Sequence, residues 1–193
     1  MNPARNPPQR EWTESGLQAL PDDGFIHELV NGELIMRPKN NFFHGWICTR
    51  LSAVLTQFAA EHRLGVVLDS STGFWMQNRN CRAPDLSFVS KAHLRELNFS
   101  LRSNTFFPGA PDLAVEILSP HNTRAEMDDR LRDFFASGAR LVWVINPETE
   151  SVEICRSLSA RQLTASGGFL DGEDVLPGFR FAIVDLFREM DWE

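Results

Sequence analysis

Apolar and polar positions first fall into a readable pattern in "GFIHELVNGELIMRP", where two short runs flank Asn31-Gly32. Asn-Gly tolerates positive φ at both central positions of a tight turn, so the pattern predicts an N-terminal β-hairpin. The period then lengthens. Ile47, Leu51, Val54, Leu55 and Phe58 recur at helical spacing behind Asn41, a residue suited to cap a helix. That helix is expected to end near Gly65. "VVLDSS" and "GFWMQN" read as strands, "RNCRAP" as a loop, and "DLSFV" as the next strand. A short helical piece, "KAHLREL", and a loop lead to the most apolar strand, "DLAVEIL".

Thr123 and Glu126 have capping-box spacing. The helix behind them carries Met127, Leu131, Phe134 and Phe135 as its apolar stripe, and Gly138 is placed to end it. "ARLVWVINP" is a further buried strand, with "SVEIC" pairing to it across the turn at 147–150. "RQLTA" and "FRFAIVDLF" complete the order. Hairpin, helix, strands, helix and strands predict an α/β (α+β) fold, with a mixed β-sheet core flanked by helices. The chain's 193 residues suit one domain, expected over residues 21–193 behind a flexible, proline-rich leader at 1–20.

Composition is that of a globular protein, with 42% hydrophobic and 23% charged residues. The net charge of −7 counts against a generally basic nucleic-acid-binding surface, so any such contact needs a local basic patch. Arg79, Arg82, Arg124 and Arg130 fall in or near the loops around the acids described next. Cys48, Cys81 and Cys155 are widely spaced and form no CxxC pair. They read as thiols of a cytoplasmic protein rather than a disulfide framework or zinc site. No apolar run reaches membrane-spanning length. Gly-x-Ser-x-Gly, Walker and HExxH motifs are absent.

The tetrapeptide Ala-Pro-Asp-Leu occurs twice, at 83–86 and 110–113, and each time the acid opens an apolar run. Strand alternation puts Asp85, Ser87 and Val89 on one face of the first strand, and Asp112, Ala114 and Glu116 on one face of the second. Glu116 lies between Val115 and Ile117, where a carboxylate has to be paired, protonated or metal-bound. If the strands are neighbours, all three acids can converge, and an oxygen-only set of this kind suits Mg²⁺ or Mn²⁺. Pro-Asp is equally an ordinary strand start. An Arg–Glu ion pair is the structural alternative for Glu116.

Arg130 falls about 60° from Met127 around its helix, on the flank of the buried stripe, from where its stem can carry the guanidinium to the strand acids. The same pattern admits a solvated arginine among Asp128, Asp129 and Arg132. His44 shares a side with Ile47 and Leu51, and Glu28 alternates with Ile26 and Val30. Both are supporting candidates without an evident partner.

With these residues in view, residues 25–184 resemble the Uma-two family of restriction endonucleases, a branch of the PD-(D/E)XK nuclease superfamily. The resemblance is carried by "HELVNGELI", His44, "RAPDLSFV" and above all "PDLAVEILSPHNTRAEMDDRLRDFFASGARLVWVINPE". It implies a restriction endonuclease-like fold and Mg²⁺- or Mn²⁺-dependent hydrolysis of DNA. On that resemblance Asp85 and Glu116 bind metal, with Asp112 as an additional or supporting ligand. Glu116, Arg130, Asp85, Glu28 and His44 make up the catalytic set. The superfamily's lysine would fall at Leu118, so the basic role is displaced to Arg130, which cannot act as a base as a buried lysine can. A nuclease-fold binding or assembly module without catalysis is the other reading. Double-strand cleavage favours a homodimer on geometric grounds.

Overall fold

In the structure, a computed structural model that describes residues 12–21, 23–37 and 40–189, the chain begins with α1 (Glu14–Gln18). The hairpin β1 (Ile26–Val30) and β2 (Glu33–Arg37) follows, then α2 (Phe42–Glu61) and β3 (Gly65–Asp69). Two short strands, β4 (Phe74–Trp75) and β5 (Cys81–Arg82), precede β6 (Leu86–Ser90) and α3 (Lys91–Glu96). Next come β7 (Phe107–Pro108), β8 (Leu113–Ile117), α4 (Arg124–Ala136), β9 (Leu141–Asn146) and β10 (Ser151–Cys155). The last described elements are β11 (Arg161–Ala165), β12 (Phe169–Asp171), β13 (Arg180–Ala182) and α5 (Ile183–Phe187).

The hairpin forms as its turn chemistry demands. Asn31 and Gly32 have φ of 52° and 83°, the left-handed pair that a two-residue turn requires. The turn fixes the register Glu28↔Ile35 and Ile26↔Arg37, which puts Glu28 and Arg37 on one face as diagonal neighbours.

The main sheet has six strands in the order β11-β10-β9-β8-β6-β3. Only β8 and β9 run parallel in it, and α4 provides the crossover such a pair needs. Alternation along β8 divides the core. Leu113, Val115 and Ile117 pack with Ile47, Leu51 and Leu55 of α2 on one face. Ala114, Val142 and Val144 pack with Met127, Leu131 and Phe134 of α4 on the other. The α4 side also takes Phe74 and Phe107 from a smaller sheet, ordered β2-β1-β5-β4-β7. The hairpin is thereby joined, through β1 and β5, to the segment leading into β6.

Four expectations are revised. The long helix ends at Glu61, with Arg63 taking the left-handed conformation at φ 53°. Gly65 instead opens β3, where an added Cβ would lie 2.1 Å from the Val89 carbonyl oxygen. "GFWMQN" contributes only the two residues of β4, and "FRFAIVDLF" divides into β13 and α5. Of the expected leader, residues 1–11 lie outside the described residues, while Glu14–Gln18 form α1 and bury Leu17 against Leu29 and Cys81. No helix among the described residues is long and apolar enough to cross a membrane.

Candidate active site

Strands β6 and β8 run antiparallel with Leu86 opposite Val115 and Phe88 opposite Leu113. The same register sets Asp85 opposite Glu116, while Asp112 lies at the far end of β8. The two Pro-Asp aspartates do one identical job at opposite ends of this ladder. Asp85 Oδ2 accepts from Ile117 N at 2.7 Å, and Asp112 Oδ2 accepts from Ser90 N at 2.8 Å. Each also meets a helix histidine, His44 Nε2 at 3.1 Å and His93 Nδ1 at 3.2 Å. The repeat therefore closes both ends of the strand pair by satisfying backbone donors beyond it.

Convergence of all three acids, expected from face alone, is not what the fold produces. Four residues of strand separate Asp112 from Glu116, roughly 13 Å. Asp112 is occupied by Ser90, His93 and, at 3.7 Å, Arg140.

The Glu116 end is different because charges from four other segments meet there. Arg130 comes from α4, on the flank of its apolar stripe, and is buried rather than solvated. Its Nε donates to Glu116 Oε1 at 2.8 Å, and its Nη1 and Nη2 donate to the two oxygens of Glu28 at 2.7 and 2.9 Å. This is the fork geometry that favours arginine over lysine. Glu28 also accepts from Ala83 N at 2.9 Å, which ties the hairpin to the segment entering β6. One turn beyond Arg130, Asp133 accepts from Arg82 Nε at 2.6 Å, Asn80 Nδ2 at 2.9 Å and Asn78 Nδ2 at 2.7 Å. The capping box that starts α4 is formed, with Thr123 and Glu126 bonded in both directions, and it fixes where the helix begins, one to two turns ahead of Arg130 and Asp133.

Arg37, at the end of β2, completes the cluster. Its Nη1 donates to the Ala83 carbonyl at 2.8 Å and its Nη2 to Asp85 Oδ1 at 3.3 Å. The same Nη2 is 4.0 Å from Glu116 Oε2. Glu28, Asp85, Glu116 and Asp133 thus face Arg37, Arg82 and Arg130, with His44 beside Asp85.

Burial and charge split the acids. Burial works against ionised Glu28, yet Arg130, Arg37 and Arg82 outweigh it and hold its carboxyl below the usual range. Burial likewise opposes Asp85, but the His44 hydrogen bond and the Arg37 charge bring it down. Glu116 goes the other way. Burial dominates over Arg130, Asp85 adds repulsion, and the carboxyl is pushed up to about 7. Arg130, between two carboxylates, is held firmly in its charged form.

No cluster of three or more His, Cys, Asp or Glu side chains arranged to hold a metal occurs among the described residues. The donors at the Glu116 end nevertheless fit a magnesium-type ion, which commonly takes one or two protein carboxylates and completes its shell with water. Asp85 Oδ1 and Glu116 Oε2 lie 3.3 and 4.0 Å from the same cationic nitrogen, Arg37 Nη2. Of the residues picked from sequence, the fold brings Glu28, His44, Asp85, Glu116 and Arg130 together and leaves Asp112 apart. Arg82, expected only as a basic residue near these loops, joins the cluster through Asp133 and Glu28, whereas Arg37 and Asp133 carry no such expectation. The two-residue turn carried the signal for Arg37, since its register sets Arg37 on the Glu28 face. Helical spacing from Arg130 carried the one for Asp133.

The architecture is a mixed sheet clasped by helices, with Asp85 and Glu116 across neighbouring strands. The chain belongs to the family described as "Uma2: Putative restriction endonuclease", whose model matches residues 15–184. Among solved structures, it is similar to a protein from Anabaena variabilis described as "a putative nuclease". The TM-score is 0.79 at 18% identity, covering 91% of this chain and 97% of that one. No curated protein matches the sequence.

Proposed function

We propose that this protein hydrolyses DNA phosphodiester bonds with Mg²⁺ or Mn²⁺ held by Asp85 and Glu116. The observation that carries the reading is that one oxygen of each acid, Asp85 Oδ1 and Glu116 Oε2, lies within 4.0 Å of the same cationic nitrogen. Family membership supports nuclease chemistry. When bound, the ion supplies Lewis-acid charge at the phosphoryl centre.

The chain's own residues do the rest. His44 Nε2 and Ile117 N engage Asp85 Oδ2 and so direct Oδ1 into the site. Arg130 engages Glu116 Oε1 and directs Oε2 the same way. Glu28 anchors Arg130 from the hairpin. Arg130 acts by positioning and by charge, because a guanidinium in this setting does not give up its proton. Burial pushes the Glu116 carboxyl up to about 7 against the pull of Arg130. DNA is the proposed substrate. A cut through both strands asks for two such sites and hence a homodimer. The three free thiols fit a cytoplasmic setting.

The test is cleavage of plasmid and short duplex DNA with Mn²⁺ or Mg²⁺, comparing wild type with Glu116→Ala. Wild type is expected to cut in the presence of metal and the variant to fall to background. Equal, metal-independent background from both removes the enzyme reading.

Two observations favour a second reading, a binding or assembly module that has kept the fold without catalysis. Arg130 is engaged by internal carboxylates on all three guanidinium nitrogens, and Leu118 stands two residues past Glu116 where no base is available. Calorimetric titration with Mn²⁺ separates the two. Micromolar uptake that depends on Asp85 and Glu116 argues against the silent module.

A further inference from the structure

The three arginines of the site are not held alike. Arg130 is pinned by Glu116 and both oxygens of Glu28 at 2.7–2.9 Å, with its side chain 9% exposed. Arg82 is pinned by Asp133 at 2.6 Å and is 6% exposed. Arg37 is 18% exposed and projects from β2, the edge strand of its sheet. Its contacts to carboxylates are long: 3.3 Å to Asp85, 3.6 Å to Glu28 and 4.0 Å to Glu116. Its one short bond, at 2.8 Å, goes to the neutral Ala83 carbonyl. Of the three, Arg37 is the cation that can leave without uncovering the core, and it is the one that faces both candidate metal-binding oxygens.

We propose that Arg37 is a resident counter-cation of the site: it occupies the space between Asp85 and Glu116 and is displaced when a divalent ion binds there. This rests on the reading of Asp85 and Glu116 as the metal-binding pair. A guanidinium and a divalent ion cannot share the same two oxygens at close range, because like charges in a poorly solvated site repel strongly. Arg37 therefore keeps the acid pair neutralised in the absence of metal and weakens the site for metal in the same measure. Metal loading then depends on a competition within the chain, set by a residue of the hairpin rather than by the acids alone.

The experiment is Mn²⁺ calorimetry on full-length wild type, Arg37→Met and Glu116→Ala, with folding of each checked by circular dichroism. Arg37→Met is expected to bind Mn²⁺ tighter by on the order of tenfold or more, since a like charge beside the ion has been removed. A wild-type measurement covers the case in which Arg37→Met does not fold. The Arg37 Nε–H signal in ¹⁵N-resolved NMR is expected to shift on titration with Mg²⁺, while that of Arg130 stays in place. Binding to Arg37→Met no tighter than to wild type, or an Arg37 signal that Mg²⁺ at saturation does not move, overturns the displacement. In that event, wild-type binding that is lost in Glu116→Ala leaves the metal site itself standing. No Mn²⁺ uptake by any of the three proteins removes the metal reading and the displacement together.

Discussion

Replacing Arg130 by methionine removes the cation that joins the hairpin, β8 and α4. Methionine fills much of the same space but leaves Glu28 and Glu116, both almost fully buried, without their principal partner. Four donated bonds are lost: one to Glu116, two to Glu28 and one to the Ala83 carbonyl. Breaking a buried ion pair from one side costs about 3–5 kcal/mol, because the remaining charge is stranded. Against a total stability of roughly 5–15 kcal/mol that is a large fraction. With a urea slope of about 2 kcal/mol per molar, the unfolding midpoint should fall by about 1.5–2.5 M.

The loss should depend on pH in a defined direction. In wild type, Glu28 is held below its ordinary range, so its contribution is present above the unfolded pKa and fades as pH falls through the folded one. Without Arg130, burial raises both carboxyls, and the penalty grows as pH climbs above the unfolded value of about 4.3. The gap between the two proteins should therefore be wider at pH 8 than at pH 5. A loss below about 1 kcal/mol, or one that is equal at the two pH values, refutes the reasoning. Adding Glu28→Leu to Arg130→Met should recover part of the loss by removing one stranded charge.

Two further outcomes follow from the same cluster. Glu116, pushed up to about 7, binds its proton more tightly folded than unfolded, so its contribution to stability declines as pH rises from about 4.3 to about 7. Thermal melts of Glu116→Gln across that window should lack this decline, and a slope identical to wild type would contradict it. Asp112→Asn keeps an acceptor for Ser90 N but loses the charge facing His93 and Arg140, so a stability loss of about 1 kcal/mol is expected in denaturant titration. A loss of more than about 3 kcal/mol would mean that the far end of the ladder is more than a closure of backbone bonds.

Local chemistry made much of this site readable. Asn31-Gly32 dictates a turn, the turn dictates a register, and the register places Glu28 and Arg37 together. Alternation between Val115 and Ile117 turns Glu116 away from the α2 face of the core, and helical spacing puts Arg130 on the flank from which it reaches that acid. Alternation assigns a face but no position along the strand, and for that reason it groups Asp112 with Glu116. The antiparallel pairing of β6 with β8 decides that question, and it becomes visible only when both strands are in place. The short strands β5 and β7 were equally opaque, because two residues carry no period, and only Phe74–Trp75 of the strand read in "GFWMQN" forms. The contact of Arg82 with Asp133 spans 51 positions and rests on that unreadable segment.

Metal-dependent cleavage of plasmid DNA by wild type, Glu116→Gln and Asp112→Asn, run side by side, tests most directly whether the chemistry resides at one end of the β6–β8 ladder. Wild type and Asp112→Asn are expected to cut at similar rates with Mn²⁺, while Glu116→Gln falls to background although it stays folded. Cleavage that survives in Glu116→Gln, or that is lost equally in Asp112→Asn while its fold is kept, would contradict the assignment of the site to Asp85 and Glu116.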